Sequence, residues 1–345
     1  LQSLSFYVLA VFQRNSEFSG EAGLKYFILG ALSSGFLLFG FSLLYIEYGS
    51  FLFESIARMS FSSDSIISLF GFSFVFITLL FKLGSFPFHQ WLCDVYEGSF
   101  ITVTAFFSVA PKAIIFAIFI KLLYVFFFDF LYFSNLMIIF SGILSISFAS
   151  VTALYQQRVK RLLAYSAISH TGFILVALAC NSLDAIKTAV IYISIYILMT
   201  ISVFSVLFIL LNNNKMPKFL INWASISKHN LMLALSFACI LFSVAGIPPL
   251  SGFFSKLFVL GSLFFDGYLV LPALIAIFSS IGCFYYLRLI KMFFFSDQNK
   301  TIIWTGNTSG RVEVFTSVLI LFITFFFFNP DPLVDIGLLT SLSLA

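Results

Sequence analysis

Ser243–Leu260 reads SVAGIPPLSGFFSKLFVL, with Pro248, Pro249 and Gly252 in the middle of hydrophobic sequence and Lys256 close behind. Phe81–Trp91 reads FKLGSFPFHQW, with Lys82 five residues before Pro87. Proline removes a backbone donor and clashes with the preceding turn. At membrane depth the freed groups must find partners or water, so each segment reads as a helix broken inside the bilayer. A proline kink in a packed bundle would explain one such segment. Two of them, five spans apart and each beside a lysine, match the internal repeats of transporters, whose transport sites lie near the breaks.

Composition places both segments in a membrane. The chain has 345 residues, 61% hydrophobic and only 9% charged, with a mean hydropathy of +1.09. A soluble domain carries about 25% charged residues, so a water-soluble globule is excluded. Phe alone supplies 51 residues, read as lipid-facing and packing surface. Cys93, Cys180, Cys239 and Cys283 lie too far apart for a disulfide framework or a metal motif. The sequence has no Gly-rich phosphate loop and no nucleophile elbow.

Apolar runs bounded by charges and Gly/Pro punctuation predict spans near 1–12, 23–46, 65–84, 99–127, 132–156, 160–180, 184–211, 229–247 continuing at 251–264, 268–290 and 312–328. The fold class is therefore an all-α polytopic membrane protein of about ten transmembrane helices, each span needing ~20 residues. The segments do not alternate in polarity as barrel strands do. Leu1–Phe12 reaches only ~18 Å as a helix, and it is read as the second half of a helix begun elsewhere.

Numbering the loops alternately puts Arg14, Lys25, Arg158, Lys160, Arg161, Lys215, Lys218, Lys228, Lys291, Lys300 and Arg311 on one side and only Arg58 and Lys187 on the other. By the positive-inside rule the first side is the cytoplasm, or the matrix of a mitochondrion. The C-terminal tail, with Asp331 and Asp335, falls on the opposite side.

Lys82, Lys112, Lys121, Lys256 and Arg288 remain within or near the spans, and every acidic residue falls in a loop, a tail or a helix end. A charge at the bilayer centre costs at least ~2.5–3.5 kcal/mol, so such residues need a function or a partner. Lys121 and Arg288 are close enough to helix ends to snorkel. Lys112, mid-span after Pro111, is not, and Lys82 and Lys256 sit where the breaks admit water. Apolar burial disfavours an ammonium, so a lysine at depth can gain and lose a proton during turnover. His170, mid-span in AYSAISHTGF, can link water chains or pack as a hydrogen-bonded core residue. His89, two residues after Pro87, reads equally as a relay or an interfacial residue. His229 reads as structural, opening a helix at the basic surface. Asp94 and Glu97, in DVYEG, read as caps of the loop after the first break.

At EAGLKYFILGALSSGFLLFG, FKLGSFPFHQWLCDVYEGS, VKRLLAYSAISHTGF and AGIPPLSGFFSKLFVL the chain resembles the NADH–ubiquinone oxidoreductase chain 2 family, antiporter-like membrane subunits of respiratory complex I. The resemblance implies antiporter-like inverted repeats with two broken helices. Residues 1–127 would then be the C-terminal part of a first repeat, 132–290 a second repeat, and 312–345 a terminal helix and tail. It also implies proton translocation, with Lys82 and Lys256 as the lysines of the broken helices and Lys112 as the central lysine. His170 and His89 fall on family histidine positions.

By the same resemblance the chain is an enzyme only as a subunit of the NADH:ubiquinone reductase. Redox chemistry lies in partner subunits, and no cofactor or metal is expected in this chain. The implied partners are other membrane-arm subunits, neighbouring antiporter-like subunits among them, and lipids, with no nucleic acid. The implied location is the mitochondrial inner membrane, or a bacterial plasma membrane. Cys93 and Phe100 stand where the family commonly carries proline, so the path after Lys82 is expected to differ there. The family's membrane glutamate precedes the LQSL-like stretch, and Glu21 does not match it. That carboxylate is therefore expected from a separate or unassigned N-terminal segment. A stand-alone cation/proton antiporter shares these lysines and breaks, and a structural membrane scaffold would use neither.

Overall fold

The computed structural model describes residues 2–13, 16–50, 52, 66–126, 131–180, 182–210, 218–224, 226–296 and 310–344. Arg14, Arg58, Lys215 and Lys300, part of the loop-charge pattern, lie outside the described residues. The described chain is helical: α1 (Gln2–Ala10), α2 (Glu17–Tyr48), α3 (Ile66–Leu83), α4 (Gln90–Gly98), α5 (Ile101–Lys121), α6 (Leu131–Leu154), α7 (Val159–Leu178), α8 (Leu183–Ile209), α9 (Leu231–Ala245), α10 (Ser251–Phe265), α11 (Val270–Phe295), α12 (Gly310–Phe325) and α13 (Asp331–Leu344). Among the described residues, eight helices are long and apolar enough to cross a membrane, and α9 and α10 are shorter apolar helices.

Local chemistry sets several boundaries. Ser16, Ser182 and Asn230 open α2, α8 and α9 by accepting from the backbone N–H groups of Ser19, Ala185 and Leu233, which satisfies first-turn donors that a helix cannot bond itself. Four expectations change. The stretch after Lys82 is not a loop: a turn over 84–89 leads into α4, so Cys93, Asp94 and Glu97 stand on a helix. Phe100 precedes α5 in an extended conformation that a proline would share. His229 closes a one-turn helix, Ile226–His229, and Asn230 is the residue that opens α9. The C-terminal tail is the helix α13, packed on α8.

The most buried span is the least apolar of the eight. In α7, 89% of the membrane window is buried at a hydropathy of 1.4, against 17% in α11 and α12. Its small residues, Ala164, Ser166, Ala167, Ser169 and Gly172, let neighbouring backbones approach closely. Residues of α7 enter all three hydrophobic clusters: Phe173–Leu178 in one, Val159 and Leu162 in another, Ala164, Ala167 and Ile168 in the third. Helices α4, α6, α8 and α10 pack against α7, and Lys112 of α5 reaches its Ala167 carbonyl.

Two polar clusters mark the ends of the bundle. Asp94 of α4 accepts from Lys25 of α2 at 2.9 Å and from Arg161 of α7 at 3.5 Å, and Glu97 pairs with Arg158 and Arg161. The start of α2, the end of α4 and the start of α7 therefore share one end. At the other end Ser182, before α8, donates to Asp266, after α10, at 3.0 Å.

Candidate functional site

The two helix breaks are built alike. Helix α3 ends at Gly84 with φ 70°, and α9 ends at Gly246 with φ 86°, a left-handed conformation that glycine adopts without a Cβ penalty. In each, the N–H after the glycine reaches back five residues: Ser85 to the Leu80 carbonyl at 3.2 Å, and Ile247 to the Phe242 carbonyl at 3.0 Å. Cis peptide bonds follow at Phe86–Pro87 and Pro248–Pro249. Gly-x-x-Pro at 84–87 and 246–249 is the signal in the sequence that marks this shared construction.

Both break lysines stand at the end of the first half-helix. Lys82 is the penultimate residue of α3. Lys256 belongs to α10, yet its Nζ returns across the break and donates to the carbonyls of Ala245 at 2.6 Å and Val244 at 3.4 Å. These are free C-terminal carbonyls, the negative end of the α9 dipole. Their surroundings differ. Lys256 is half-buried over the Phe173 ring. Lys82 is exposed and makes no hydrogen bond or ion pair among the described residues.

Lys112 lies at the core, 3% exposed. Pro111 has no N–H to offer the Phe107 carbonyl, and beside it the Ser108 carbonyl accepts from Tyr196 Oη at 3.2 Å. The same tyrosine ring lies under Lys112 Nζ, 5.6 Å from its centroid, and Nζ donates to the Ala167 carbonyl of α7 at 3.3 Å. One turn further along α7, His170 Nδ1 and Tyr192 Oη are 2.8 Å apart.

Three cavities border these groups in succession. The largest, about 590 Å³, is lined by Lys82, Lys112, Lys121 and Tyr96 among others. A second, about 30 Å³, is bounded by Tyr96, Ser108, Ala167, Tyr196 and His170. A third, about 10 Å³, lies between His170, Ser150, Ser169, Tyr285 and Lys256. A single water needs roughly 10–15 Å³ measured this way, so the two small cavities are of water size. Tyr96 borders the first and second, and His170 borders the second and third.

The remaining sequence candidates separate. His89 is buried between the rings of Phe86 and Phe148, centroids at 5.5 and 4.6 Å, and borders none of the three cavities. Lys121 lines the large cavity. Arg288 reaches the end of α6, donating to the Leu154 carbonyl at 2.9 Å, as a side chain snorkelling to a helix end would. Asp94 and Glu97 serve ion pairs rather than a loop cap. Sequence reading passed over Tyr96, Tyr192 and Tyr196. The last two are one helical turn apart on α8, a spacing that puts them on one face.

Residues 1–282 match the family described as NADH:quinone oxidoreductase/Mrp antiporter, transmembrane. The chain is 40% identical over 340 residues to NADH-ubiquinone oxidoreductase chain 2 of Marchantia polymorpha, covering 96% of this chain and 68% of that protein. It is 38% identical over 336 residues to NADH-quinone oxidoreductase subunit N of Pelagibacter ubique, covering 97% and 71%. Among solved structures, a chain of respiratory complex I from Thermus thermophilus with bound aureothin matches with a TM-score of 0.77 at 26% identity. That match covers 99% of this chain and 72% of the other. With these matches over its broken helices and central lysine, the chain belongs to the NADH:quinone oxidoreductase/Mrp antiporter transmembrane family, with chain 2 and subunit N proteins as its relatives.

Proposed function

We propose that the chain carries protons across the membrane as an antiporter-like subunit of an NADH:quinone oxidoreductase. Lys82, Lys112 and Lys256 are the groups that load and release protons, and His170 passes them between the last two. The observation that carries this reading is the position of His170. It borders the cavity beside the contacts of Lys112 and also the cavity beside Lys256. A histidine can take a proton at one site and return it at another near neutral pH. The redox steps belong to partner subunits of the membrane and peripheral arms, and this chain holds no cofactor of its own.

Lys82 has a cavity beside it and no charged partner among the described residues, so a carboxylate from outside them is its counter-charge. A helix preceding Leu1, in a separate or unassigned segment, is the proposed source. The membrane is the mitochondrial inner membrane, and the basic end at Arg158 and Arg161 faces the matrix. A stand-alone cation/proton antiporter is the second reading, because the matched family includes Mrp antiporters. Identity of 40% to a chain 2 protein favours the first.

Lys112→Met tests the function, since it keeps length and removes the exchangeable proton. The expected result is an assembled complex that oxidises NADH with proton pumping reduced about tenfold or more, a barrier increase of about 1.4 kcal/mol. Normal pumping in that assembled variant rejects the relay.

A further inference from the structure

Tyr96 stands on α4, the helix that follows the first break, and is 2% exposed. Its hydroxyl has no hydrogen-bond partner among the described residues. A buried polar group almost always has a partner, and where protein supplies none an ordered water does. The same side chain borders both the large cavity that holds Lys82 and Lys112 and the water-sized cavity that reaches His170. The other polar groups at this boundary already bond to protein. Lys112 Nζ is turned to the Ala167 carbonyl, and Tyr196 Oη to the Ser108 carbonyl.

We propose that the Tyr96 hydroxyl holds a water molecule that joins the Lys112 cavity to the His170 cavity, which makes Tyr96 a positioning residue for proton transfer between them. This inference rests on the proton-carrying role proposed above. A phenol is both donor and acceptor, so it can orient such a water whether the water is giving or taking a proton. The proton moves from the Lys112 ammonium to the held water as the water releases one toward His170. One N–H and one O–H bond break, one O–H and one N–H bond form, and no oxidant is needed. Tyr96 keeps its own proton throughout.

The orphaned hydroxyl allows a clean test. Removing a buried hydroxyl that bonds no protein group costs the fold nothing, whereas removing one that is paired destabilises it. In the intact complex, Tyr96→Phe is expected to assemble with unchanged or higher thermal stability. Its pumping rate should fall about fivefold and its solvent deuterium isotope effect should rise, because proton transfer has become limiting. Wild-type pumping and isotope effect overturn the proposal, as does a pumping loss matched by an equal loss of stability. Lys112→Met and His170→Gln run alongside: if both pump normally the proton-carrying role itself fails, and if both are defective while Tyr96→Phe is normal only the water site fails. Should Tyr96→Phe not assemble, a density map of the unmodified complex decides. A water about 3 Å from Tyr96 Oη is expected, and a map with ordered waters elsewhere in the chain but none there rejects the site.

Discussion

Lys256 Nζ lies 2.6 Å from the carbonyl oxygen of Ala245, the last residue of the half-helix on the far side of the break. The lysine therefore closes the end of one half-helix while belonging to the other. Breaking a helix inside a bilayer exposes carbonyls that lipid cannot satisfy, and an ammonium there answers both its own desolvation and theirs. Release of its proton or movement of its head would free those carbonyls, so charge at Lys256 and the geometry of the break are linked.

Two substitutions separate these roles. Lys256→Gln keeps a donor within reach of the carbonyls and removes the exchangeable charge. We expect it to assemble with stability near that of the unsubstituted complex and to pump about tenfold more slowly. Lys256→Leu removes the donor as well and is expected to lose a further ~2 kcal/mol, the scale of leaving a buried carbonyl without a partner. Thermal melting and proton pumping on the same preparations distinguish them. Equal stability of the two variants would show that the carbonyls do not depend on the lysine.

Gly252 makes a second, purely steric prediction at the same break. A Cβ there would clash with the Ser243 carbonyl oxygen, a backbone atom that cannot swing away. Gly252→Ala is expected to separate α10 from α9 at a cost of about 3 kcal/mol, the upper range for overpacking. Gly261 is on the same helix with open space at its Cβ, and Gly261→Ala is expected to be neutral or to gain up to ~1 kcal/mol of helix propensity. Assembly of the two variants on native gels gives the comparison.

The breaks and their lysines are legible in sequence because proline and charge inside apolar runs are local signals. Helix α4 was not legible: Asp94 and Glu97 make it look like a polar loop, and the cations that justify them, Arg158 and Arg161, are more than 60 residues away. Tyr192 and Tyr196 were hidden for the opposite reason. In a chain with 20% aromatic residues, a tyrosine in an apolar helix reads as packing until its hydroxyl is seen against a histidine or a carbonyl. His170 was visible as a candidate, but its place between two cavities depends on residues of α5 and α10, Ser108 and Lys256, that are distant in sequence.

The ion cluster at Asp94 predicts coupling between distant helices. Asp94 sits between Lys25 of α2 and Arg161 of α7. All three side chains are partly exposed, so each pair is worth no more than ~1 kcal/mol. Asp94→Lys places a third cation between two others and is expected to lower stability. Adding Arg161→Glu restores one attractive pair, and the double variant is expected to recover about 1 kcal/mol relative to additivity. The recovery shrinks as salt rises. Additive effects at low salt would mean that the Asp94–Arg161 pair contributes nothing to the joining of α4 and α7, leaving it to Glu97.

The last prediction concerns which end faces which compartment. Tyr155, between α6 and α7, is 80% exposed, and Phe265, at the end of α10, is 89% exposed. Tyr155 stands three residues from Arg158, at the end gathered around the Asp94 and Glu97 pairs. Phe265 adjoins Asp266, which receives Ser182 at the other end. In a lipid bilayer these two positions are separated by the full hydrocarbon thickness, about 30 Å. Tyr155→Cys is therefore expected to react with a membrane-impermeant maleimide only in vesicles that expose the matrix face, and Phe265→Cys only in vesicles of the opposite orientation. Reaction of both from the same side would contradict the crossing of α7, α8, α9 and α10 and remove the basis for a path through the membrane. Reaction from opposite sides, but with Tyr155→Cys on the face away from the matrix, would keep the path and reverse its direction.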